Sequence, residues 1–311
     1  MNRFLVRRVL QSVVLLFVVT TLAFFLVHLT PGGPEAALIQ NPRIGADEIQ
    51  RLRERFGLDQ PLAIQYVRWL TSAAHLDFGR SYFYSRPATE VVAERLGPTI
   101  QLGVVSYVVA LMGVPLGIIA GLNRGRAADG TVRLVATIGH SVPTWWLGLI
   151  SIVVLSSLFG WFPNGQGTGS FGEWLKYISV PALVLGLGGL VTFARFVRSG
   201  VLDALAEDYV RTAQAKGLPR PLITSRHVLR NALLPVVTLL GGLLPALLSG
   251  ALVTEYIFAW PGVGRLFYEA AVSRDYPIVL AVLTMLSFVT ILGTLLADVT
   301  YGIVDPRVRY S

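Results

Sequence analysis

Tyr276-Pro-Ile-Val-Leu-Ala-Val-Leu-Thr-Met-Leu-Ser-Phe-Val-Thr-Ile-Leu-Gly-Thr-Leu-Leu-Ala297 runs for 22 residues without an Asp, Glu, Lys or Arg. At a rise of ~1.5 Å per residue it makes a helix of about 33 Å, enough to cross the roughly 30 Å hydrocarbon core of a bilayer. A core helix of a soluble protein would carry a charged face at helical spacing, and this run has none. Five further runs share the property: Val9 to Pro34, Leu96 to Asn123, Leu134 to Gly172, Tyr177 to Ala194 and Asn231 to Thr254. The shortest has 18 residues and still reaches about 27 Å. The longest, from Leu134, ends in the polar, turn-forming Trp161-Phe-Pro-Asn-Gly-Gln-Gly-Thr-Gly-Ser-Phe-Gly172, so it counts as one helix closing near Trp161. The expected fold is an all-α integral membrane protein with six transmembrane helices.

Composition agrees. Of 311 residues 53% are hydrophobic and 14% charged, against about 25% charged in soluble chains, which excludes an ordinary water-soluble enzyme. The absence of cysteine excludes disulfides, Cys-ligated zinc, iron–sulfur clusters and thiol nucleophiles. The net charge of +8 has a topological source. Six spans put both termini on one side, and the short segments there hold fifteen basic residues, including Arg3, Arg7, Arg8, Arg124, Arg126, Arg133 and seven from Arg195 to Arg230. The two short loops opposite hold only Lys176, Arg265 and Arg274. By the positive-inside rule both termini are cytoplasmic, and the basic excess calls for membrane lipid rather than nucleic acid as its partner.

The expected order is a cytoplasmic N-terminus (1–8), spans over 9–30, 98–122, 134–161, 178–196, 231–255 and 277–302, and a cytoplasmic C-terminus (303–311). Between them lie an external cap (31–97), a cytoplasmic loop (123–133), an external loop (162–177), a cytoplasmic loop (197–230) and an external loop (256–276). After Val27 the sequence shows no small-x-small cleavage site, so the first span is expected to be retained.

In the cap, Asp47 is expected to cap a helix running to about Phe56, with Gly57 as its stop. Asp59 or Gln60 caps a second helix, with Pro61 in its first turn and Leu62, Tyr66, Trp69 and Leu70 on one buried face. Leu76-Asp-Phe-Gly-Arg-Ser81 reads as a turn, and Arg86-Pro-Ala-Thr-Glu-Val91 starts a third helix. The cap suits either a plug over the outer mouth or a substrate-binding element.

The cytoplasmic stretch after Arg195 and Arg198 is the most informative. Glu207-Asp-Tyr-Val-Arg-Thr-Ala-Gln-Ala-Lys-Gly217 begins with acids and stops at glycine, so it reads as a short helix. Leu218-Pro219 turns the chain, and Pro221 begins a second short helix through Leu222, Ile223 and Val228. The two form an elbow that is either a solvated connector or a docking surface.

Catalytic chemistry is hard to find. G-x-x-x-x-G-K-[ST], H-E-x-x-H and G-x-S-x-G are all absent, and the four histidines lie 47, 65 and 87 residues apart. No catalytic, cofactor-binding or metal-binding residue is expected. Asp298 alone among the acids approaches the interior of a span, and Glu255 sits at the outer end of the fifth, so these two are the candidates for a pathway or gating role. Glycine and proline within spans, among them Pro115, Gly117, Pro143, Gly186 and Pro245, permit close packing and kinks.

At the elbow the residues carry a resemblance. Tyr209-Val-Arg-Thr-Ala-Gln-Ala-Lys-Gly-Leu218, followed by His227-Val-Leu-Arg-Asn-Ala-Leu-Leu-Pro-Val236, resembles the cytoplasmic EAA loop of bacterial ABC-importer permeases, in particular the B-type permease of the dipeptide/oligopeptide/nickel branch. Pro31-Gly-Gly-Pro34, Leu58-Asp-Gln-Pro61, Leu76 to Ser81, Glu255-Tyr-Ile-Phe-Ala-Trp-Pro-Gly-Val-Gly264, Asp275-Tyr-Pro277 and Asp305-Pro-Arg-Val-Arg309 are similar to that branch in the same order. Three departures stand out: Arg211 replaces the acid of the general loop pattern, the proline that ends that pattern is displaced to Pro235, and Gly33 replaces an Asp common after the first span.

The resemblance implies a type I ABC-importer permease architecture: a pore-forming subunit paired with a homologous second permease as a heterodimer. Two cytoplasmic ATPase subunits would bind ATP and Mg, and an external binding protein would deliver a di- or oligopeptide. It implies docking to an ATPase through Arg211, Thr212, Ala213, Gln214, Ala215, Lys216, Gly217, Leu218, Pro219, Arg220, Pro221 and Leu222, with Lys216 and Arg220 meeting acidic or carbonyl groups. Import of a nickel chelate or of glutathione is the near alternative; a stand-alone ion-coupled carrier or channel is the remote one.

Overall fold

The computed structural model describes residues 2–29, 50–51, 54, 57–163, 165, 170–233, 236 and 251–304, the side chains of 2–6 and 296–304 excepted. Among the described residues the regular elements are helices, joined by turns and loops, with one isolated antiparallel bridge between Arg80 and Pro87. The helices are α1 (Asn2–His28), α2 (Leu62–Ala74), α3 (Ala88–Leu111), α4 (Gly113–Leu122), α5 (Ala127–Ser141), α6 (Thr144–Phe159), α7 (Phe171–Ala206), α8 (Asp208–Ala215), α9 (Arg220–Ile223), α10 (Leu229–Ala232), α11 (Val263–Ser273) and α12 (Tyr276–Val304). Among the described residues four stretches are long and apolar enough to cross a membrane, Arg7–His28, Ala88–Leu122, Phe171–Ala206 and Tyr276–Leu295, or five if α5 and α6 together make one broken span.

Several boundaries differ from the sequence expectation. The run 134–161 is not one helix: α5 and α6 meet at a 102° bend across Val142-Pro143. Proline has no N–H to continue the ladder and forces the residue before it out of the helical region, and Val142 accordingly has φ −100° and ψ 126°. In the opposite sense, the stretch expected as a span over 178–196 belongs to a continuous 36-residue helix. Its start is set by Ser170, whose Oγ accepts the Glu173 N–H at 3.3 Å, and the Ser-x-x-Glu spacing of a capping box was legible there. The expected third cap helix and second span are likewise one stretch, since α3 runs unbroken through Pro98. Met112 separates it from α4, where Pro115 sits in the first turn and withdraws a donor.

The second cap helix starts without the side-chain cap expected from Asp59 or Gln60: α2 follows Pro61, and Gln65 Nε2 reaches back to the Gln60 carbonyl at 2.8 Å. Gly57 has the positive φ of 67° that suits a helix stop. Asp47, Gly33, Pro235 and Asp305 to Arg309 lie outside the described residues.

The chain divides into two compact units, one of 100–260 with Met1 and 293–311, the other of 2–99 with 261–292. In the first, α4 lies against α7 along Gly113, Gly117 and Gly121. A Cβ on Gly113 would collide with the Leu190 carbonyl; on Gly117 it would stand 2.6 Å from Ala194 O, and on Gly121 2.7 Å from Val201 Cβ. Gly186 of α7 similarly faces Ser106 O of α3 at 2.5 Å from a built Cβ. Small residues four apart let backbones approach, which is how apolar helices associate where lipid removes the hydrophobic drive.

In the second unit, α2 packs the half-buried Leu62, Tyr66 and Trp69 against Ala23, Phe24 and Leu280, while Leu70, expected on the same face, does not join that cluster. Phe24 meets the Tyr66 and Trp69 rings at 5.3 and 5.2 Å, and Thr21 Oγ1 lies 2.8 Å from Tyr66 Oη. The buried Asp275 carboxylate accepts the Ser81 hydroxyl, together with the Tyr82 and Phe83 N–H groups at 3.2 and 3.3 Å. Ser81 Oγ in turn accepts from Tyr84 N at 2.8 Å. The 76–87 loop is thereby tied to the start of α12, and Thr99 Oγ1 ties α3 to the Val263 N–H of α11 at 2.8 Å.

Two outcomes test these contacts by thermal unfolding of the purified complex. Helix propensity alone favours alanine over glycine by about 1 kcal/mol. Gly103→Ala, whose Cβ meets open space, is expected to follow it and stabilise; Gly117→Ala is expected instead to destabilise by about 1–3 kcal/mol. Asp275→Ala strands three donors and is expected to cost about 1–3 kcal/mol, clearly more than Ser81→Ala; equal losses would mean that the carboxylate is not the hub.

Candidate functional site

The elbow grows out of the end of α7. Glu207 is extended, with ψ 148°, and breaks the helix for one residue before α8 resumes at Asp208. Val210 and Ala213, three apart on one face of α8, are buried with Val197, Val201 and Ala204 of α7. The C-terminus of α8 closes as a Schellman motif: Leu218 N–H bonds to Ala213 O at 3.3 Å and Gly217 N–H to Gln214 O at 2.9 Å. Gly217 has φ +73°, and Leu218 packs back onto the buried cluster, completing the hydrophobic contact such motifs carry. Pro219 then starts α9, and a π-helical turn over Thr224–Val228 leads into α10. Ile223, Val228 and Ala232 join the same cluster, and Ala232 O lies 2.8 Å from where a Cβ on Gly200 would stand. The elbow is therefore a folded extension of α7.

Of the twelve residues assigned to docking, ten are exposed together: Arg211, Thr212, Gln214, Ala215, Lys216, Gly217, Pro219, Arg220, Pro221 and Leu222. Ala213 is turned inward and Leu218 is half-buried, so these two support the face from behind. Arg211 pairs with Asp208 at 3.2 Å in full solvent, a contact that contributes little. Lys216 and Arg220 stand exposed on either side of the glycine turn. The face offers cations, a proline-stiffened turn and Leu222, a composition suited to a partner presenting carboxylates or carbonyls around an apolar slot.

The two pathway candidates fare differently. Glu255 lies in a helical stretch (251–257), wholly buried, and its carbonyl accepts the Trp260 N–H at 2.8 Å. Asp298 is on α12, and its side chain is outside the described residues. Among the described residues no three His, Asp or Glu side chains cluster as metal ligands would.

Sequence reasoning missed a partly buried ion pair. Arg198 Nε and Nη2 reach Asp129 Oδ1 and Oδ2 at 2.6 and 3.0 Å, a bidentate fork, and Gly125 N–H adds a bond to Oδ2 at 3.0 Å. The signal was there: Asp129 is the one acid in a loop holding Arg124, Arg126 and Arg133.

Comparison with known proteins is consistent along the whole length. Residues 113–310 match the family described as binding-protein-dependent transport system inner membrane component, and residues 1–103 match the corresponding N-terminal family. The oligopeptide transport system permease protein AppB of Bacillus subtilis (strain 168) is 37% identical over 317 aligned residues, covering all of both chains. A putative peptide transport system permease protein of Brucella abortus (strain 2308) is 36% identical over 315, and the glutathione transport system permease protein GsiC of Escherichia coli (strain K12) 39% over 312, again with full coverage of both chains. Among solved structures, an amino acid ABC transporter crystallised with histidines superposes with a TM-score of 0.51 at 14% identity, over 70% of this chain and 94% of that one, a likeness of fold alone. All-helical, with at least four apolar helices of spanning length and matched from end to end, the chain belongs to the inner-membrane components of binding-protein-dependent transport systems.

Proposed function

We propose that this chain is one of two homologous pore-forming permeases in an ATP-driven importer, and that its cargo is a di- or oligopeptide handed over by an external binding protein. The observation that carries this reading is the full-length similarity to peptide-transport permeases, at 36–37% identity. Glutathione, itself a tripeptide, is the second reading, favoured by the 39% identical glutathione permease. The chain would cross the membrane six times with both termini cytoplasmic, and 31–97 would form the external cap.

The elbow is the proposed ATPase-docking surface. Two ATPase subunits would hold ATP and Mg, and this chain would bind neither. Lys216 and Arg220 would engage carboxylates or carbonyls, and Leu222 an apolar slot. Closure of the ATPases would draw the elbows of the two permeases together and turn the cavity from inward- to outward-facing. Burial of Val210, Ala213, Ile223 and Val228 on α7 supports this role, because a surface that transmits force must be fixed to what it moves.

Affinity purification of the chain in mild detergent is expected to bring down a second permease and P-loop ATPases; a homo-oligomer that transports without ATP would end the importer reading. Gly217→Val is expected to reduce ATPase recovery several-fold at normal membrane levels. A Cβ there meets no atom within 4 Å, so the effect is backbone strain of about 1–2 kcal/mol, and Gly217→Asn, which tolerates positive φ, should be milder. Because the chain has no cysteine, single-cysteine labelling is clean: Ser225→Cys is expected to react with impermeant maleimide only from the cytoplasmic side and Ala74→Cys only from outside.

A further inference from the structure

A pocket lies away from the elbow. It opens between α5 and α7 with a volume of about 600 Å³, lined by Arg133, Thr137, His140 and Ser141 of α5 and by Arg195, Phe196, Arg198 and Ser199 of α7. Positions 133, 137, 140 and 141 recur on one face of α5, and the second wall is a single turn of α7. No acidic side chain lines the pocket. At its back Arg198 is already neutralised by Asp129 through the bidentate pair. Arg133 and Arg195 are exposed, so the space carries two positive charges with an imidazole beside them.

We propose that this pocket holds the phosphate headgroup of an anionic phospholipid. The ligand chemistry follows from the donors. Guanidinium groups bind phosphate oxygens in planar pairs, and His140 adds a ring N–H. Thr137 and Ser141 already donate their hydroxyls to the Arg133 and Thr137 carbonyls, at 2.9 and 2.8 Å, so the arginines must carry the binding.

A lipid, rather than a free anion, is indicated by what adjoins the charges. Phe196, on the pocket wall, and Leu134 and Ile138, next to pocket residues on α5, are 52–61% exposed. An anion from water would leave those apolar groups uncovered, whereas acyl chains cover them while the phosphate sits between the arginines. The positive-inside pattern places this level of α7 at the cytoplasmic surface, where basic pockets between spans meet anionic headgroups. The inference does not depend on which peptide is carried.

The test is native mass spectrometry of the assembled transporter, titrated with dioleoylphosphatidylglycerol or dioleoylphosphatidylcholine. Wild type is expected to retain phosphatidylglycerol several-fold better. Arg133→Gln with Arg195→Gln should abolish that preference, and Arg124→Gln with Arg126→Gln, which removes equal charge outside the pocket, should leave it intact. Ser199→Trp, which fills the space and keeps both arginines, should also lose it and covers the case of a double variant that fails to assemble. Three results would each overturn the proposal: no preference in wild type, equal loss in the control pair, or displacement of phosphatidylglycerol by millimolar inorganic phosphate, which would assign the pocket to a soluble anion.

Discussion

The first unit depends on the closeness of two backbones. Three glycines on α4, spaced by four, lie against Leu190, Ala194 and Val201 on α7, and Gly186 does the same for α3. In water, burying large side chains would hold helices together; in lipid that drive is absent and contact must come from backbone approach and dispersion. Each glycine gives up about 1 kcal/mol of helix propensity, so the packing must return more than that at every position. The consequence is tight positioning: α7 cannot slide past α4 without driving side chains into carbonyls. The Arg198–Asp129 fork lies at the same end and locks the register with α5.

The second unit uses a different device. Its loop over 76–87 has little regular structure, and Ser85 even takes a positive φ of 55°. A loop can be held by burying side chains or by giving its amides a common acceptor, and here Asp275 does the latter. A single carboxylate that accepts three donors is well solvated by the protein, which makes its burial tolerable. The aromatic group of Phe24, Tyr66 and Trp69 supplies the apolar half of the same unit.

Much of this was legible in the chain. Charge-free runs gave the membrane class, Gly217 gave the end of α8, and the Leu62, Tyr66, Trp69 spacing gave the inward, half-buried face of α2. What was not legible had two causes. Helix ends in a membrane protein do not coincide with the ends of charge-free runs, because a helix such as α7 continues into water carrying Arg195, Arg198 and Asp203; only its Ser170 cap marks the start. Contacts between residues distant in sequence leave no local trace: Ser81 and Asp275 are 194 apart, and nothing in the spacing of either joins them. Val142-Pro143 is the exception, since the proline was seen and allowed a kink, yet the run around it was read as one helix. The first elbow helix and its glycine stop were legible, whereas the second segment is a short helix that passes through a π-helical turn into α10, and burial on α7 required knowing which face of each points inward.

That burial decides what kind of site the elbow is. A connector that floats free would respond to a partner by moving alone, and nothing would reach the membrane. Here Val210, Ala213, Ile223 and Val228 share one cluster with Val197, Val201 and Ala204, so displacing α8 against α7 would expose most of that apolar surface, at about 25 cal/mol per Å². Moving the end of α7 is the cheaper response, because after Pro181 and through Ala206, the stretch on which α4 packs, the helix has no proline or break at which a displacement could be absorbed. The glycine row then passes the motion to α4, since side chains too close to slip must move as one body. If the elbow docks a partner as proposed, then docking face, lever and packing are consecutive parts of one path, built from a Schellman turn, the C-terminal part of α7 and three missing side chains.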